Sequence, residues 1–506
     1  MVDKNYLKAR AGKNASHFGR IVAEQDPELH EYYVDADRYV ARALDPNDPA
    51  VFFVGPKGAG KSAILQMVRL TRSIDSSRII SISPDDLAFS ALTNVRATTP
   101  ILSEFSKHQW LFKSLWDYIL SLEVLRREFK DRNTFSTYLL NLLRSLLGTQ
   151  RDAEARRLLL VSLGDEGQAM SLSSRILQLI NEVELSADVS DVAKVSGKAK
   201  IDTSKGTQGS QLWLLSLINT VAKKMGETVN APYHILIDDL DLHWHDTPIQ
   251  NAFIAALFFS LRNFNKPPNL KCSVAIRDRI FRRLPLVDRD KYHDWICHVE
   301  WQEANVRTMV ERRITKSIDI QPKDIWGGLF PHNSFSRMLR HTYGRPREVI
   351  RLCSMCVAEA VKKSHLQVKD EDIDSAIQKF SDSRITEVAS EFSFQHTGLD
   401  HIIRKFKGWQ KEFTAAKLTE VAEDVWLEKE CGDDMAAEYA WAAEYREDPV
   451  GLTRILLECN ILLYKPDRSS APVLYDPDKR PDIQAGTWIA VHPAFFYALE
   501  MERPSK

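Results

Sequence analysis

The feature that most constrains this chain is a glycine-rich segment that follows an apolar run and precedes an apolar-periodic one. Val51–Val54 are all apolar, Gly55-x-x-x-x-Gly60-Lys61-Ser62 comes next, and apolar residues then recur at helical spacing as far as Leu70. Strand, glycine loop and helix in this order are the context of a phosphate-binding P-loop, because glycines let consecutive backbone N–H groups point at one anion. The sequence therefore predicts a nucleoside triphosphate site.

The predicted nucleotide contacts lie within this loop and at the start of the helix. Lys61 is placed to reach the β- and γ-phosphates, and the Ser62 hydroxyl is placed to hold Mg²⁺. The residues predicted to bind ATP are Gly55, Pro56, Lys57, Gly58, Ala59, Gly60, Lys61, Ser62 and Ala63. A glycine-rich turn with no ligand is the alternative, and the flanking strand and helix disfavour it.

A second anchor is an apolar strand that ends in carboxylates, Ile235-Leu-Ile-Asp238-Asp239-Leu-Asp241. Asp238 is predicted to coordinate Mg²⁺ through water or to bind the Ser62 hydroxyl. Asp239 is predicted to polarise the attacking water as general base. Asp238, Asp239 and Lys61 are thus predicted catalytic residues, whereas Asp241 is a candidate for orienting a lid arginine or capping the next helix.

Two arginine-rich segments are candidate phosphate sensors. Arg277 ends a predicted strand, and ligands of open α/β sheets bind at the carboxyl ends of strands. It is therefore a predicted catalytic residue that senses the γ-phosphate or stabilises transition-state charge, with a solvated helix start as the alternative. Arg345 and Arg347 flank Pro346 at a predicted helix start, against the helix dipole, and one of them is predicted to be a second sensor.

Strands that alternate with helices predict an α/β fold with a parallel sheet and helices on both faces. A polar stretch at 386–398 is predicted as a linker. A winged-helix-like domain is predicted next, because helical patterns continue to about residue 464 and two strand-like runs follow at 472–475 and 487–491. The predicted parts are the N-terminal segment and first half of the core (1–85), a mainly helical insertion (86–230), the second half of the core (231–300), a helical lid (301–385) and the winged-helix-like domain (396–506).

Composition limits the environment and the partners. The 506 residues carry a net charge of −1, and six scattered cysteines fit a reducing cytosol rather than a disulfide framework. No uncharged apolar run is long enough to span a membrane, so a cytoplasmic location is expected. Cys353 and Cys356 are spaced like a pair of metal ligands, but the sequence has no second such pair. The two cysteines are therefore predicted to lie on one face of a helix.

The charge of the C-terminal part favours protein over nucleic acid as a partner. Residues 396–506 contain 14 Lys and Arg against 20 Asp and Glu, a net of −6. A DNA-reading module needs a basic face, so the expected partner is a protein effector or sensor within a homo- or hetero-oligomer. Nucleic-acid contact through residues 277–283 or through the insertion stays open.

Four motifs occur together: Gly-Pro-Lys-Gly-Ala-Gly-Lys-Ser62, Ile-Leu-Ile-Asp-Asp-Leu-Asp241, Ala-Ile-Arg-Asp-Arg-Ile-Phe281 and Gly-Arg-Pro-Arg-Glu-Val-Ile350. They resemble the motifs of STAND and KAP-type P-loop ATPases, which are related to AAA+ proteins. More narrowly, the chain resembles mostly uncharacterised bacterial ATPases linked to phage defence. This resemblance implies an ASCE-type core, a helical lid and a nucleotide-driven switch of conformation or assembly. A DNA-handling ATPase and a nucleotide-binding scaffold without turnover are the alternatives.

Overall fold

The chain divides into two compact units, one of residues 35–300 and one that combines residues 1–34 with 301–506. The computed structural model describes residues 7, 18–71, 78–83, 109–129, 131–147, 156, 232–240, 244, 246–264, 270–286, 289–318, 320–432, 436–476, 479 and 481–502. None of the helices in these ranges is long and apolar enough to cross a membrane. The five-part division of the sequence stays a prediction.

The strands and helices have the following bounds. The strands are β1 (Phe52–Gly55), β2 (Ile79–Ile82), β3 (Tyr233–Ile237), β4 (Leu270–Arg277), β5 (Ile296–His298), β6 (Glu412–Thr414), β7 (Leu462–Tyr464) and β8 (Trp488–Val491). The helices are α1 (Leu29–Tyr32), α2 (Tyr39–Leu44), α3 (Lys61–Thr71), α4 (Gln109–Glu128), α5 (Arg132–Leu147), α6 (Pro248–Phe264), α7 (Asp278–Arg283), α8 (Glu303–Ile318), α9 (Ser334–Arg340), α10 (Pro346–Lys362), α11 (Asp370–Phe392), α12 (Leu399–Arg404), α13 (Leu418–Glu430), α14 (Ala436–Tyr439) and α15 (Pro449–Glu458).

The unit of residues 35–300 is built on a parallel sheet. Its five strands pair in the order β2-β3-β4-β1-β5, and all four pairings are parallel. Strands β1, β3 and β4 are almost wholly buried, which is why they read as continuous apolar runs. The predicted α/β P-loop core is thereby confirmed. Because the strands are parallel, the residues that follow them meet at one edge of the sheet.

Aromatic side chains join the sheet to its helices. The ring of Phe52 on β1 stacks on that of Phe258 on α6, with 3.6 Å between the centroids. Helix α4, from the predicted insertion, packs on α6, where Trp116 Nε1 donates to the Phe253 carbonyl at 3.0 Å. At least this helix of the insertion therefore belongs to the hydrophobic core of the unit. Most of the remaining insertion lies outside the described residues.

The predicted linker at 386–398 is wrong, because α11 continues to Phe392. Ile385, Val388 and Phe392 lie on one face at helical spacing, and all three are buried. Polar side chains dominate the rest of this segment, so its composition alone does not reveal the apolar face. Helices α8 to α11 therefore share one hydrophobic core with residues beyond 399.

The C-terminal part combines helices with a three-stranded antiparallel sheet in the order β6-β8-β7. The winged-helix-like prediction is thereby confirmed, although its details differ. Residues 462–464 form β7 rather than the end of a helical region. The predicted strand at 472–475 contributes only a bridge between Val473 and Tyr464, and β6 was not predicted. Such three-residue strands are too short for periodicity to distinguish them from helix ends.

Candidate functional site

The predicted P-loop follows β1 and leads directly into α3. Gly58 has φ +84° and Gly60 has φ +92°, a backbone region that residues with a Cβ rarely adopt. The Ala59 N–H donates to the Pro56 carbonyl at 3.2 Å and closes the first turn of the loop. The glycines thus allow a tight curl that ends at a helix N-terminus, the arrangement that binds phosphate.

Gly55 is required by a close approach rather than by its dihedral angles. A Cβ at this position would lie 3.0 Å from the Val299 carbonyl oxygen and 3.2 Å from the Val299 Cβ. The Val299 N–H also donates to the Val54 carbonyl at 2.7 Å, so this neighbour is tied to the same strand. A side chain at 55 would therefore push the start of the loop away from the sheet.

Lys61 lies folded over the loop. Its Nζ donates to the carbonyls of Gly55 and Pro56, both at 2.9 Å. Ser62 and Ala63 follow it in the first turn of α3, where both side chains are half-buried. The ammonium, the hydroxyl and the N–H groups of this turn are the groups that could hold a triphosphate and a cation.

The acidic pair lies directly after β3. The Asp238 N–H donates to the Ile82 carbonyl of β2 at 3.1 Å, and the Asp239 N–H donates to Asp238 Oδ1 at 2.9 Å. Asp239 has φ +56°, which is uncommon for a residue other than glycine, and its side chain is exposed. The two adjacent carboxylates thus accept from different donors, the Asp239 N–H and the Ser83 hydroxyl respectively.

Ser83 is a candidate site residue that the motif analysis missed. It directly follows β2, and its Oγ donates to Asp239 Oδ2 at 3.1 Å. No motif in the sequence singles it out. Its partner could not be identified before the pairing of β2 with β3 was known.

Strand register places the predicted catalytic residues along one edge. Arg277 pairs with Gly55, while Val274 of β4 pairs both with Phe52 and with Ile237. One strand thus separates β1 from β3, so the loop and the acidic pair begin roughly 10 Å apart, since neighbouring strands lie about 4.8 Å apart. Asp241 lies outside the described residues.

Arg277 leads into α7, which carries further arginines. Its half-buried side chain leaves the last position of β4, next to the start of the P-loop. The Arg279 guanidinium lies 5.0 Å from the centre of the Trp244 ring, and Arg283 Nε lies 3.5 Å from Asp246 Oδ2. Arg279 and Arg283 thus contact an aromatic ring and a carboxylate respectively, and Arg277 lies beside the start of the P-loop.

Arg345 and Arg347 belong to the other compact unit. The Arg345 side chain is 13% exposed, and its Nη1 lies 3.6 Å from Glu348 Oε1. Arg347 is exposed and forms no ion pair with any residue that the structure describes. Their contact with nucleotide stays a prediction.

The two closely spaced cysteines lie in the interior of the unit of residues 1–34 and 301–506. Cys353 and Cys356 are buried on α10 next to the Met338 sulfur, and burial raises the pKa of Cys353 to about 12. A thiol held protonated by burial is a poor metal ligand, because cysteine binds metals as the thiolate. Both side chains therefore act as part of the apolar face of α10.

Comparison with known proteins gave one family match to part of the chain and one relative that covers nearly all of it. Residues 304–389 match the model of the FunZ-associated C-terminal helical domain, a range that runs from α8 into α11. The chain is similar to the putative transposon gamma-delta 80.3 kDa protein of Escherichia coli (strain K12). The two are 21% identical over 96% of this chain and 67% of that protein.

Two solved structures are weakly similar to the whole chain. The Aeropyrum pernix Orc1 protein, solved in complex with DNA, gives a TM-score of 0.38 at 11% identity, with 95% of this chain and 96% of that chain covered. Cdc6p from Pyrobaculum aerophilum gives 0.35 at 10% identity, with 96% of each chain covered.

Proposed function

We propose that this chain is an ATP-binding and ATP-hydrolysing switch that couples its nucleotide state to assembly or to a protein effector. The observation that carries the proposal is the glycine loop with two residues at positive φ, which runs from β1 into α3. The acidic pair that follows β3 lies at the same edge of the parallel sheet. A phosphate cradle beside carboxylates suits phosphoryl transfer to water.

Each residue has a distinct part in the proposed reaction. Lys61 exchanges its two loop carbonyls for the β- and γ-phosphates, whose negative charge offsets the loss of the two hydrogen bonds. Ser62 and Asp238 would hold Mg²⁺, which would neutralise charge on the phosphates. Asp239 orients water and accepts its proton, and Ser83 fixes the direction of that carboxylate. Arg277 supports the charge that develops on the γ-phosphate.

Binding and turnover of ATP test this proposal together. Lys61→Ala is expected to abolish ATP binding measured by equilibrium titration, whereas Asp239→Asn is expected to keep binding. Lys291→Ala, which removes an exposed lysine outside the loop, is the matched control and should behave as wild type. Wild-type protein that binds no ATP contradicts the proposal, and binding without turnover in any oligomeric state favours the scaffold alternative.

We further propose that the switch acts in the bacterial cytoplasm in defence against phage. The four motifs that resemble STAND and KAP-type ATPases support this setting. Expression of the chain in a susceptible host is expected to lower plaque formation, and Lys61→Ala is expected to restore it. Equal plaque counts for wild type, Lys61→Ala and empty host across a phage panel would contradict the defence role without affecting the ATPase proposal.

The alternative is a DNA-handling ATPase. Exposed Arg282 and Arg283 on α7 favour it. Against it, the exposed charges of α15, the candidate recognition helix, are Arg454 and Glu458, and residues 396–506 are net acidic. A gel shift with duplex DNA at a low salt concentration of about 50 mM decides the matter, because phosphate contacts are strongest there. We expect no shift, and salt-sensitive binding would favour the alternative.

A further inference from the structure

The segment that joins the acidic pair to α6 contacts α7 at two points, both within the unit that holds the parallel sheet. The Arg279 guanidinium lies 5.0 Å from the centroid of the Trp244 ring. Arg283 Nε lies 3.5 Å from Asp246 Oδ2. Helix α7 begins at the residue after Arg277, which is the proposed support for charge on the γ-phosphate. The chain that follows the acidic pair is therefore fastened to the helix that follows Arg277.

The buried side chain of Asn251, on α6, holds both contact points. Its Oδ1 accepts from Trp244 Nε1 at 2.9 Å, and its Nδ2 donates to Asp246 Oδ1 at 2.8 Å. An indole N–H can only donate and a carboxylate can only accept, so this place requires one acceptor and one donor, which the asparagine amide supplies. Asn251 thus orients both the ring that Arg279 contacts and the carboxylate that Arg283 contacts.

The acidic pair lies between this fastening and the sheet. On the sheet side, the Asp238 N–H donates to the Ile82 carbonyl at 3.1 Å. Asp239 and Asp246 adopt φ +56° and +55°, a conformation that residues with a Cβ keep where surrounding contacts fix it. Loss of the Asn251 hydrogen bonds would release the far end of this segment and allow Asp239 to shift.

We propose that Asn251 is a positioning residue for Asp239. Acting through Trp244 and Asp246, it holds the segment that carries the Asp239 carboxylate in a fixed place relative to α7 and Arg277. Displacement of a reacting group by about 1 Å can slow a reaction by up to about 100-fold. This inference rests on the proposed function, since it takes Asp239 as the group that orients water and Arg277 as the group that supports the γ-phosphate.

Substitution of Asn251 in the full-length protein tests the inference. Asn251→Leu keeps the approximate volume and removes both hydrogen bonds, so kcat for phosphate release at saturating ATP should fall about tenfold. The Kd for ATP should stay within about threefold of wild type, because the glycine loop follows a different strand. In the Asp239→Asn background, Asn251→Leu should change kcat by less than about twofold, because the carboxylate that it positions is absent.

Ser260→Ala is the matched control, because it also removes a hydrogen bond of a buried side chain on α6. The Ser260 hydroxyl donates to Asp117 Oδ1 at 2.6 Å, and this variant should keep kcat within about twofold of wild type. Asp246→Ala is a second variant that leaves the hydrogen bond between Trp244 and Asn251 in place. It tests the same link if Asn251→Leu fails to fold, and it should slow kcat by about threefold or more.

Three results would overturn the inference alone. They are unchanged kcat in Asn251→Leu and Asp246→Ala, equal slowing by either substitution in the wild-type and Asp239→Asn backgrounds, and equal slowing by Ser260→Ala. Wild-type protein that binds no ATP, or that binds ATP without turnover, would overturn the proposed function and this inference with it.

Discussion

The contact between Ser83 and Asp239 gives the sharpest test of the proposed catalytic site. The Ser83 hydroxyl donates to a carboxylate oxygen at 3.1 Å, and both side chains are exposed. A hydrogen bond to a charged group contributes more free energy than one between neutral groups, but exposure to water reduces this contribution to about 1 kcal/mol. If this bond orients Asp239 in the transition state, then Ser83→Ala should lower kcat about fivefold.

A double-mutant cycle separates positioning of Asp239 from any independent effect of Ser83. Asp239→Asn should slow hydrolysis by about 100-fold, as expected for loss of a positioned catalytic group. Adding Ser83→Ala to the Asp239→Asn variant should change kcat by less than about twofold, because the carboxylate that accepts the serine hydrogen bond is no longer present. Phosphate release at saturating ATP is the assay.

Ser81 provides the control for this cycle. It lies on β2 two residues before Ser83, is exposed, and its hydroxyl accepts a hydrogen bond from Arg69. Ser81→Ala should therefore leave kcat unchanged. Equal slowing by Ser83→Ala in the wild-type and Asp239→Asn backgrounds would refute the positioning role.

Two further predictions concern stability. Burial lowers the pKa of His341 and His492 from the ordinary value of 6.5, so their stabilising contribution is full above pH 6.5 and is lost as pH falls below it. The loss should approach about 1.4 kcal/mol per pH unit for His492, whose pKa lies well below 6.5, and should be smaller for His341, measured by urea unfolding between pH 7.5 and 5.5. A flat profile would contradict their burial. Trp116→Ala should destabilise the unit of residues 35–300 by about 3–5 kcal/mol in the same assay, because the side chain is fully buried and donates to Phe253. A loss under about 1 kcal/mol would contradict the packing of α4 on α6.

The parts of the site that the sequence predicts are those coded by contiguous residues. Gly58 and Gly60 adopt positive φ within a few residues of each other, and their glycine identity is visible without any tertiary structure. The strand that precedes Asp238 and Asp239 is likewise recognisable, because a buried parallel strand is a continuous apolar run.

The parts that escaped prediction depend on pairing or packing between distant residues. Ser83 contacts Asp239 across 156 positions of sequence, and only the pairing of β2 with β3 brings them together. The environment of Arg345 combines a local partner, Glu348, with Arg384 from another helix. An arginine at a helix start suggested a phosphate contact, but its partners could not be predicted because they arise from packing of α10 against α11.

Light scattering with and without nucleotide tests most directly whether the P-loop controls a switch. Asp239→Asn with Mg²⁺ and ATP should hold the ATP-bound state, since binding is retained while hydrolysis is slowed. The molar mass of this complex is expected to differ from that of nucleotide-free protein, and Lys61→Ala should show no difference. Identical mass in the two states, together with ATP binding by calorimetry and no ATP-dependent change in hydrogen exchange, would contradict a nucleotide-driven switch.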